Sequence, residues 1–203
     1  MKMLKIKSII IHHTASGQDV PMEKVVNSIS NNHRKRLHKK INGFGYNIAY
    51  HYIIDSKGEI RPTRPESEAG WHCGNFLVNL SSIAIALTGN LSIKKPTAKQ
   101  LQTLSEKIHE LRVKYNISVD KVKGHRDIKN TECPGHNMTD NIIRESATGV
   151  YLVDGNAPSD VHKKSWAWAI KKKITNGDNP KVAATREQVV EMIYRNSNLL
   201  TKK

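Results

Sequence analysis

One stretch of eleven residues, from Gly124 to Pro134, constrains the fold of this chain more than any other feature. It carries His125 and Cys133, and both side chains bind a borderline-soft cation such as zinc well. Two ligands do not make a site, and we expect the third from the pair His12-His13 near the start of the chain. If the two segments meet, three protein ligands leave one position open, which is the pattern of a catalytic zinc site.

The pair His12-His13 lies in a predicted strand, where neighbouring side chains point to opposite faces. Only one of the two can therefore reach a shared metal, and the residues alone leave open which one. A single histidine in a strand is more often a packed or surface residue than a metal ligand. The pair is therefore a candidate source of a ligand only because His125 and Cys133 are also present. His72-Cys73 is a competing pair, whose two side chains also point apart. Its neighbours Gly70, Trp71 and Gly74 suggest a loop that lines the site, and the pair ranks below the other set as metal-binding.

Tyrosines near this predicted site offer a second chemical group. Residues 49–54 are rich in strand formers, and in a strand Tyr50 and Tyr52 would share a face. Packing is the ordinary role of such residues. A zinc hydrolase, however, needs a donor for the oxyanion of its tetrahedral intermediate, and a phenol can supply it.

Strands and helices alternate along residues 1–147, which predicts an α/β fold with a central mixed β-sheet flanked by helices. Thr97 is a suitable cap for one of these helices. The hydrophobic patterns predict strands at about 5–12, 49–54, 59–62 and 82–87 and near residue 122, and helices at about 22–40, 98–115 and 139–147.

A linker and a small C-terminal domain are predicted beyond this unit. Residues 148–159 contain Gly149, Gly155 and Pro158, which are typical of a linker. Residues 160–203 predict two short helices, the second opened by the capping box Thr185-Arg186-Glu187-Gln188. Two short helices bury little surface. We therefore expect this small helical domain to lean on the main domain, to self-associate with a second copy, or to be marginally stable.

The charge balance favours a polyanionic partner. Lys and Arg number 33 against 18 acidic residues, a net charge of +15, which suits nucleic acid or an anionic cell wall. The alternative is that these charges lie on a solvated surface and only keep the chain soluble. Aromatic residues make up only 5% of the chain and the tryptophans are scattered, which argues against nucleic-acid binding.

Membrane insertion and export are not predicted. No apolar run approaches the roughly 20 residues that span a bilayer, and the run after the basic start is too short for a signal peptide. We therefore expect the protein to be held in the cytoplasm. Two cysteines in a chain of this length favour a thiolate ligand at Cys133 and a free thiol at Cys73 over a disulfide.

Six segments in order carry a family resemblance: Ile-Ile-His-His-Thr-Ala (10–15), Ala-Tyr-His-Tyr-Ile-Ile (49–54), Gly-Glu-Ile-Arg-Pro-Thr-Arg-Pro-Glu (58–66), Ala-Gly-Trp-His (69–72), Ser-Ile-Ala-Ile-Ala-Leu-Thr-Gly (82–89), and Gly-His-Arg-Asp with Thr-Glu-Cys-Pro-Gly (124–135). Together they resemble the type 2 family of zinc-dependent N-acetylmuramoyl-L-alanine amidases. That family includes phage lysozyme-amidases and peptidoglycan recognition proteins. The resemblance implies that His12, His125 and Cys133 bind zinc, which selects His12 over His13, and it places Tyr50 at the catalytic tyrosine.

Other implied roles concern catalysis and the substrate groove. The resemblance places Thr131 where phage members carry a catalytic lysine and recognition-protein amidases carry threonine. His72 and Arg64 would line the substrate groove. Ala86 stands where some bacterial members have a glutamate that transfers protons, so the resemblance does not supply a general base.

The implied function is that of an endolysin from a phage or prophage. Zinc-activated water would cleave the amide between the lactyl group of N-acetylmuramic acid and L-alanine in bacterial peptidoglycan. Such a protein stays in the host cytoplasm until lysis and then acts on the cell wall. The tail resembles a shortened S-layer-homology-type motif, which implies anchoring to the wall or to its anionic polymers. A peptidoglycan-binding module without activity is the main rival, and the retained Tyr50 and Cys133 argue against it.

Overall fold

The computed structural model of the chain describes residues 3–37 and 42–148. The chain divides into two units, Met1–Thr148 and Gly149–Lys203. The predicted linker after Thr148 and the predicted C-terminal helices lie outside the described residues. Their boundaries and the self-association expected of them therefore stay predictions.

A five-stranded sheet forms the centre of the described part of the chain. Its strands are β1 (Ser8–His13), β2 (Tyr52–Ile54), β3 (Ile60–Pro62), β4 (Ser82–Leu87) and β5 (Val122–Gly124). The spatial order is β3-β2-β4-β1-β5. Strand β1 pairs in parallel with β4 and β5, β2 is parallel to β4, and β3 is antiparallel to β2. The predicted mixed sheet is thus confirmed.

Helices flank this sheet, as predicted. They are α1 (Met22–Leu37), α2 (Phe76–Ser81), α3 (Ala98–Tyr115) and α4 (Asp140–Thr148). Short 3-10 turns cover Val119–Lys121 and His125–Asp127. Helix α3 begins and ends where the sequence predicts, whereas α2 was not predicted. None of the helices in the described residues combines the length and apolar character that a membrane crossing requires.

The two faces of the sheet are covered differently, and β4 shows why. Side chains alternate between faces along a strand, so the large residues of β4 take one face and the small residues Ser82, Ala84 and Ala86 take the other. The large residues join a core with α3 and α4 that includes Ile83, Ile85, Leu87, Leu104, Ile108 and Ile143. The small residues leave room on the second face for other side chains to approach the sheet closely.

Helix α1 covers part of this second face. Its residues Met22 and Val26 pack with Ile48, Ile53 and Ala86 in a smaller apolar cluster. The remaining space above the small side chains of β4 holds a group of buried histidines. One face of the sheet is therefore covered by the main hydrophobic core, whereas the other carries both a smaller apolar cluster and the buried histidines.

Candidate metal centre

Three potential metal ligands meet at one edge of the sheet. His12 lies near the carboxyl end of β1, and His125 directly follows the parallel neighbour β5. Cys133 follows on a turn that returns to this edge, where the N–H of Arg126 donates to the Cys133 carbonyl at 2.8 Å. One ligand atom from each of the three residues lies within 4.8 Å of the other two. The structure thus brings together residues that are far apart in sequence.

The spacing of this trio fits zinc. The Nδ1 atom of His12 lies 3.6 Å from Sγ of Cys133. Zinc–nitrogen bonds of about 2.0–2.1 Å and a zinc–sulfur bond of about 2.3 Å put two tetrahedral ligands about 3.6 Å apart. In addition, Nε2 of His125 is buried and has no hydrogen-bond partner within the described residues. A buried polar atom without a partner is costly, so this atom is suited to a cation.

Burial sets the protonation of the trio. It lowers the pKa of His12 well below the usual range, and the neighbouring His72 and His125 lower it further. His12 is therefore neutral, which is the form that binds a metal. Burial also raises the pKa of Cys133 to about 11, although the backbone of His13 and the charge of Arg126 counteract it. A metal ion would have to displace the thiol proton.

Neither His13 nor Cys73 belongs to the trio. Nδ1 of His13 accepts a hydrogen bond from the N–H of Leu91 at 3.1 Å. The buried thiol of Cys73 donates to Oδ1 of Asn79 at 3.2 Å. Cys73 is a free thiol, as expected, and Cys133 forms no disulfide either; its role as a thiolate ligand stays a prediction. Of the adjacent pair His12 and His13, it is therefore His12 that lies within reach of His125 and Cys133.

His72 lies behind His12. Its Nδ1 atom is 3.0 Å from Nε2 of His12, and its Nε2 atom is 3.2 Å from Oγ of Ser82. The side chain is buried, and both ring nitrogens are engaged within the protein. The role in the substrate groove stays a prediction, while these contacts connect His72 to a candidate ligand. No local pattern in the sequence reveals this contact.

Arg64 is also buried. Its Nε donates to the carbonyl of Ile48 at 2.8 Å, and its guanidinium pairs with Glu68 at 3.4 Å. Burial lowers the pKa of Arg64 and Glu68 partly opposes this. The bond to Ile48 connects Arg64 to the segment that leads into β2. The groove-lining role of Arg64 stays a prediction.

Tyr50 lies beside the trio, with its ring centroid 5.1 Å from that of His12. The expectation that Tyr50 and Tyr52 share a face is wrong. Strand β2 begins only at Tyr52, so strand alternation does not extend back to Tyr50. Tyr52 instead joins the aliphatic core and donates its hydroxyl proton to Glu66.

His33 of α1 is a neighbour that sequence reasoning did not single out. Its ring centroid is 5.5 Å from that of Tyr50, and its Nδ1 accepts the N–H of Ala49 at 3.1 Å. In the sequence it appears only as part of a basic stretch at the end of a helix. Its position next to Tyr50 depends on how α1 packs on the sheet.

Thr131 and Ala86 complete the surroundings of the trio. The Thr131 hydroxyl accepts the N–H of Cys133 at 3.3 Å and so helps to shape the turn that carries the thiol. Ala86 is buried and pairs with His12 across β1 and β4. This strand position therefore brings no carboxylate to the site.

Comparisons with known proteins agree with this geometry. The family model described as N-acetylmuramoyl-L-alanine amidase matches residues 2–136. The chain is similar to the solved N-acetylmuramoyl-L-alanine amidase LysC from Clostridium intestinale URNW, with 30% identity and a TM-score of 0.57, covering 70% of this chain and 84% of that one.

Two further similarities come from an endolysin and from an insect protein. The endolysin N-acetylmuramoyl-L-alanine amidase LysCS from the same Clostridium is 31% identical, with a TM-score of 0.54, over 66% of this chain and 78% of that one. Peptidoglycan-recognition protein SC2 from Drosophila melanogaster is 27% identical over 137 residues, 66% of this chain and 70% of that protein. The match to the family model, over residues 2–136, includes the five strands of the sheet and all three residues of the trio.

Proposed function

Because the chain belongs to the N-acetylmuramoyl-L-alanine amidase family, we propose that it hydrolyses the amide bond between N-acetylmuramic acid and L-alanine in peptidoglycan. In this proposal His12, His125 and Cys133 hold a zinc ion. The 3.6 Å separation between His12 Nδ1 and Cys133 Sγ is the observation that carries it, because it matches two ligands of one tetrahedral zinc.

The metal, Tyr50 and Thr131 have separate roles in the proposed reaction. When bound, zinc supplies a Lewis acid that polarises a carbonyl and lowers the pKa of a coordinated water to about 7. Tyr50, whose ring lies beside His12, donates a hydrogen bond to the oxyanion that develops on the scissile carbonyl. Thr131, whose hydroxyl is bonded to the backbone of Cys133, would hydrogen-bond the departing amine, and the proton that this amine takes up comes from the attacking water.

The reaction class is tested on purified cell walls. Mass spectrometry of the soluble products is expected to show free stem peptides that begin with L-alanine, without new reducing sugar ends. Reducing ends would indicate a glycosidase and overturn the proposal. Digestion should stop in the presence of a chelator and resume when zinc is added back, and full activity of the metal-free protein would overturn the role of zinc.

Peptidoglycan binding without cleavage is the second candidate, and the similarity to a peptidoglycan-recognition protein is what favours it. In that case the protein would sediment with cell walls but release no amine. The ligand trio and the adjacent Tyr50 favour catalysis, since binding alone requires neither. Comparing wall pull-down with amine release in one preparation separates the two.

A role as an endolysin is supported by the similarity to LysCS, which is described as an endolysin. We propose that the protein remains in the host cytoplasm until lysis and then reaches the wall. Expression inside the host should therefore leave cells intact until a second protein permeabilises the membrane. Lysis by the protein expressed alone would contradict this order of events.

Residues 160–203 are proposed as an anchor to the wall and its anionic polymers. A chain shortened after Ser159 should bind walls less tightly and retain part of its hydrolytic activity. Equal wall binding by the full and shortened chains would refute the anchor. Gel filtration of both forms also tests the self-association predicted for this unit.

A further inference from the structure

A row of hydrogen bonds leads from the end of α2 to His12, and the direction of each bond is determined. Oγ of Ser82 lies 2.6 Å from the carbonyl oxygen of Val78. A carbonyl only accepts, so the single hydroxyl proton of Ser82 is donated to it. The oxygen of Ser82 is therefore an acceptor for Nε2 of His72, 3.2 Å away, and that nitrogen carries the proton.

The same reasoning extends one residue further. A neutral imidazole with its proton on Nε2 has a lone pair on Nδ1. Nδ1 of His72 therefore accepts from Nε2 of His12 at 3.0 Å. This bond puts the proton of neutral His12 on Nε2 and leaves its Nδ1 unprotonated. Nδ1 is the atom that faces Cys133 Sγ at 3.6 Å.

We propose that His72 and Ser82 are positioning residues that hold His12 in the tautomer and ring orientation in which Nδ1 is ready to bind the metal. This role rests on the zinc site of the proposed function. His12 is fully buried in β1, so water does not replace the bond to its Nε2. Without His72, either His12 nitrogen would carry the proton, and a proton on Nδ1 would block the metal.

The loop that carries His72 is held by bonds that do not involve its ring. Oδ1 of Asn79 accepts the N–H groups of His72 and Cys73 at 3.0 and 3.1 Å. The backbone is thus fixed independently of the imidazole. A change of the His72 side chain therefore removes the acceptor for His12 and leaves the loop anchored.

Zinc affinity of the full chain, measured by competition with a chromophoric chelator, tests this role with a matched pair. Asn and Leu have nearly the same shape, but only the Asn amide oxygen accepts from His12. His72→Leu should weaken zinc binding by about 10–100-fold, the usual effect of losing an outer partner of a metal-bound histidine. His72→Asn should recover most of that loss. Equal losses in the two variants, or wild-type affinity in His72→Leu, would overturn the role.

Ser82→Ala provides a second, independent arm. It should weaken zinc binding by about two- to tenfold, as expected for one ordinary hydrogen bond. Ser81→Ala is its control, since Ser81 donates to the carbonyl of Leu77 at 2.8 Å on the exposed side of α2. The control should keep wild-type affinity, and an equal loss in both variants would overturn the role of Ser82.

Nitrogen-15 NMR of the metal-free protein reads the tautomer directly. In the wild type, His12 should show a protonated Nε2 and an unprotonated Nδ1, and His72→Leu should show a mixture of tautomers. A protonated Nδ1 in the wild type would overturn the inference. This spectrum requires neither zinc nor activity, so it decides the hydrogen-bond directions even if the protein proves not to be a zinc amidase.

Discussion

Nδ1 of His12 and Sγ of Cys133 lie 3.6 Å apart although the residues are separated by 121 positions in the chain. Two features of the fold produce this approach. Strands β1 and β5 are parallel neighbours, so their carboxyl ends share an edge, and the turn after His125 brings the thiol back to that edge.

Replacing Cys133 should abolish the metal site. We expect Cys133→Ser to reduce zinc affinity by more than about 100-fold, since even the loss of outer partners costs 10–100-fold. Cys73→Ser is the matched control, because the Cys73 thiol is bonded to Asn79 and not to the trio. Zinc content after dialysis and amine release from walls measure both variants. Zinc retained by Cys133→Ser would contradict the assignment.

Tyr50→Phe should slow catalysis and leave metal binding unchanged. Removal of one oxyanion donor typically lowers kcat about 100- to 1000-fold. Tyr115→Phe is the control, since its hydroxyl is bonded to Glu66 in the aliphatic-core region that also holds Tyr52. Turnover on a soluble muropeptide and zinc affinity are both measured. An undiminished kcat in Tyr50→Phe would remove Tyr50 from its role.

Elements with several agreeing local signals could be predicted from the sequence. Helix α3 is an example, because Thr97 and Gln100 form its capping box and Asn116 ends it in a left-handed conformation. Helix α2 was missed because six residues are too few to display a helical period. Its cap, Asn75, looks like any polar loop residue in the sequence.

The candidate site was predictable in its ligand types and not in their surroundings. Zinc-binding side chains are few, so His125 and Cys133 are visible as a pair in the sequence. The position of His72 depends on a loop reaching two strands, and no local pattern records that approach. Tyr52 was assigned to the wrong face because strand alternation was extended over residues that precede β2.

Gly135 should tolerate alanine poorly, in contrast to Gly45. Both have positive φ, 99° and 83°, and alanine in that region costs about 1–2 kcal/mol. A Cβ on Gly45 would meet nothing within 4 Å, whereas one on Gly135 would collide with the backbone of Leu91 and lie 2.6 Å from the nitrogen of Ser92. Crowding adds about 1–3 kcal/mol, so Gly135→Ala should lower the free energy of unfolding more than Gly45→Ala.

Gly135 is also linked to the turn that carries Cys133. Its carbonyl accepts from Arg126 at 2.9 Å, and the N–H of Arg126 donates to the carbonyl of Cys133 at 2.8 Å. We therefore expect Gly135→Ala to weaken zinc binding and Gly45→Ala to leave it unchanged. Urea unfolding and chelator competition measure the two effects, and equal behaviour of the variants would show that the collision is absorbed without moving the turn.

The metal-free protein should lose stability as the pH falls below neutrality, and His51 provides a defined part of this loss. Burial lowers the pKa of His51 to about 4, although its hydrogen bond to the backbone of Glu68 opposes the shift. Its ring also accepts the N–H of Ala84 at 3.0 Å. In the unfolded chain the pKa is about 6.5, so between pH 6.5 and about 4 the unfolded state binds the proton and the folded state does not. The free energy of unfolding therefore decreases as the pH is lowered from 6.5 to about 4. At 1.36 kcal/mol per pH unit, His51 accounts for about 3 kcal/mol of this decrease.

His51→Asn isolates this part, because an amide oxygen still accepts the N–H of Ala84 but does not titrate. The variant should be less stable than the wild type at pH 7.5, since the carbonyl of Glu68 loses its donor. Its stability should also fall less steeply towards pH 4.5. His109→Asn, at an exposed site on α3, controls for the loss of a histidine as such. Urea unfolding at a series of pH values gives the slopes. The wild type and His51→Asn differ in slope only if His51 is kept neutral by burial, so parallel curves would contradict that cause.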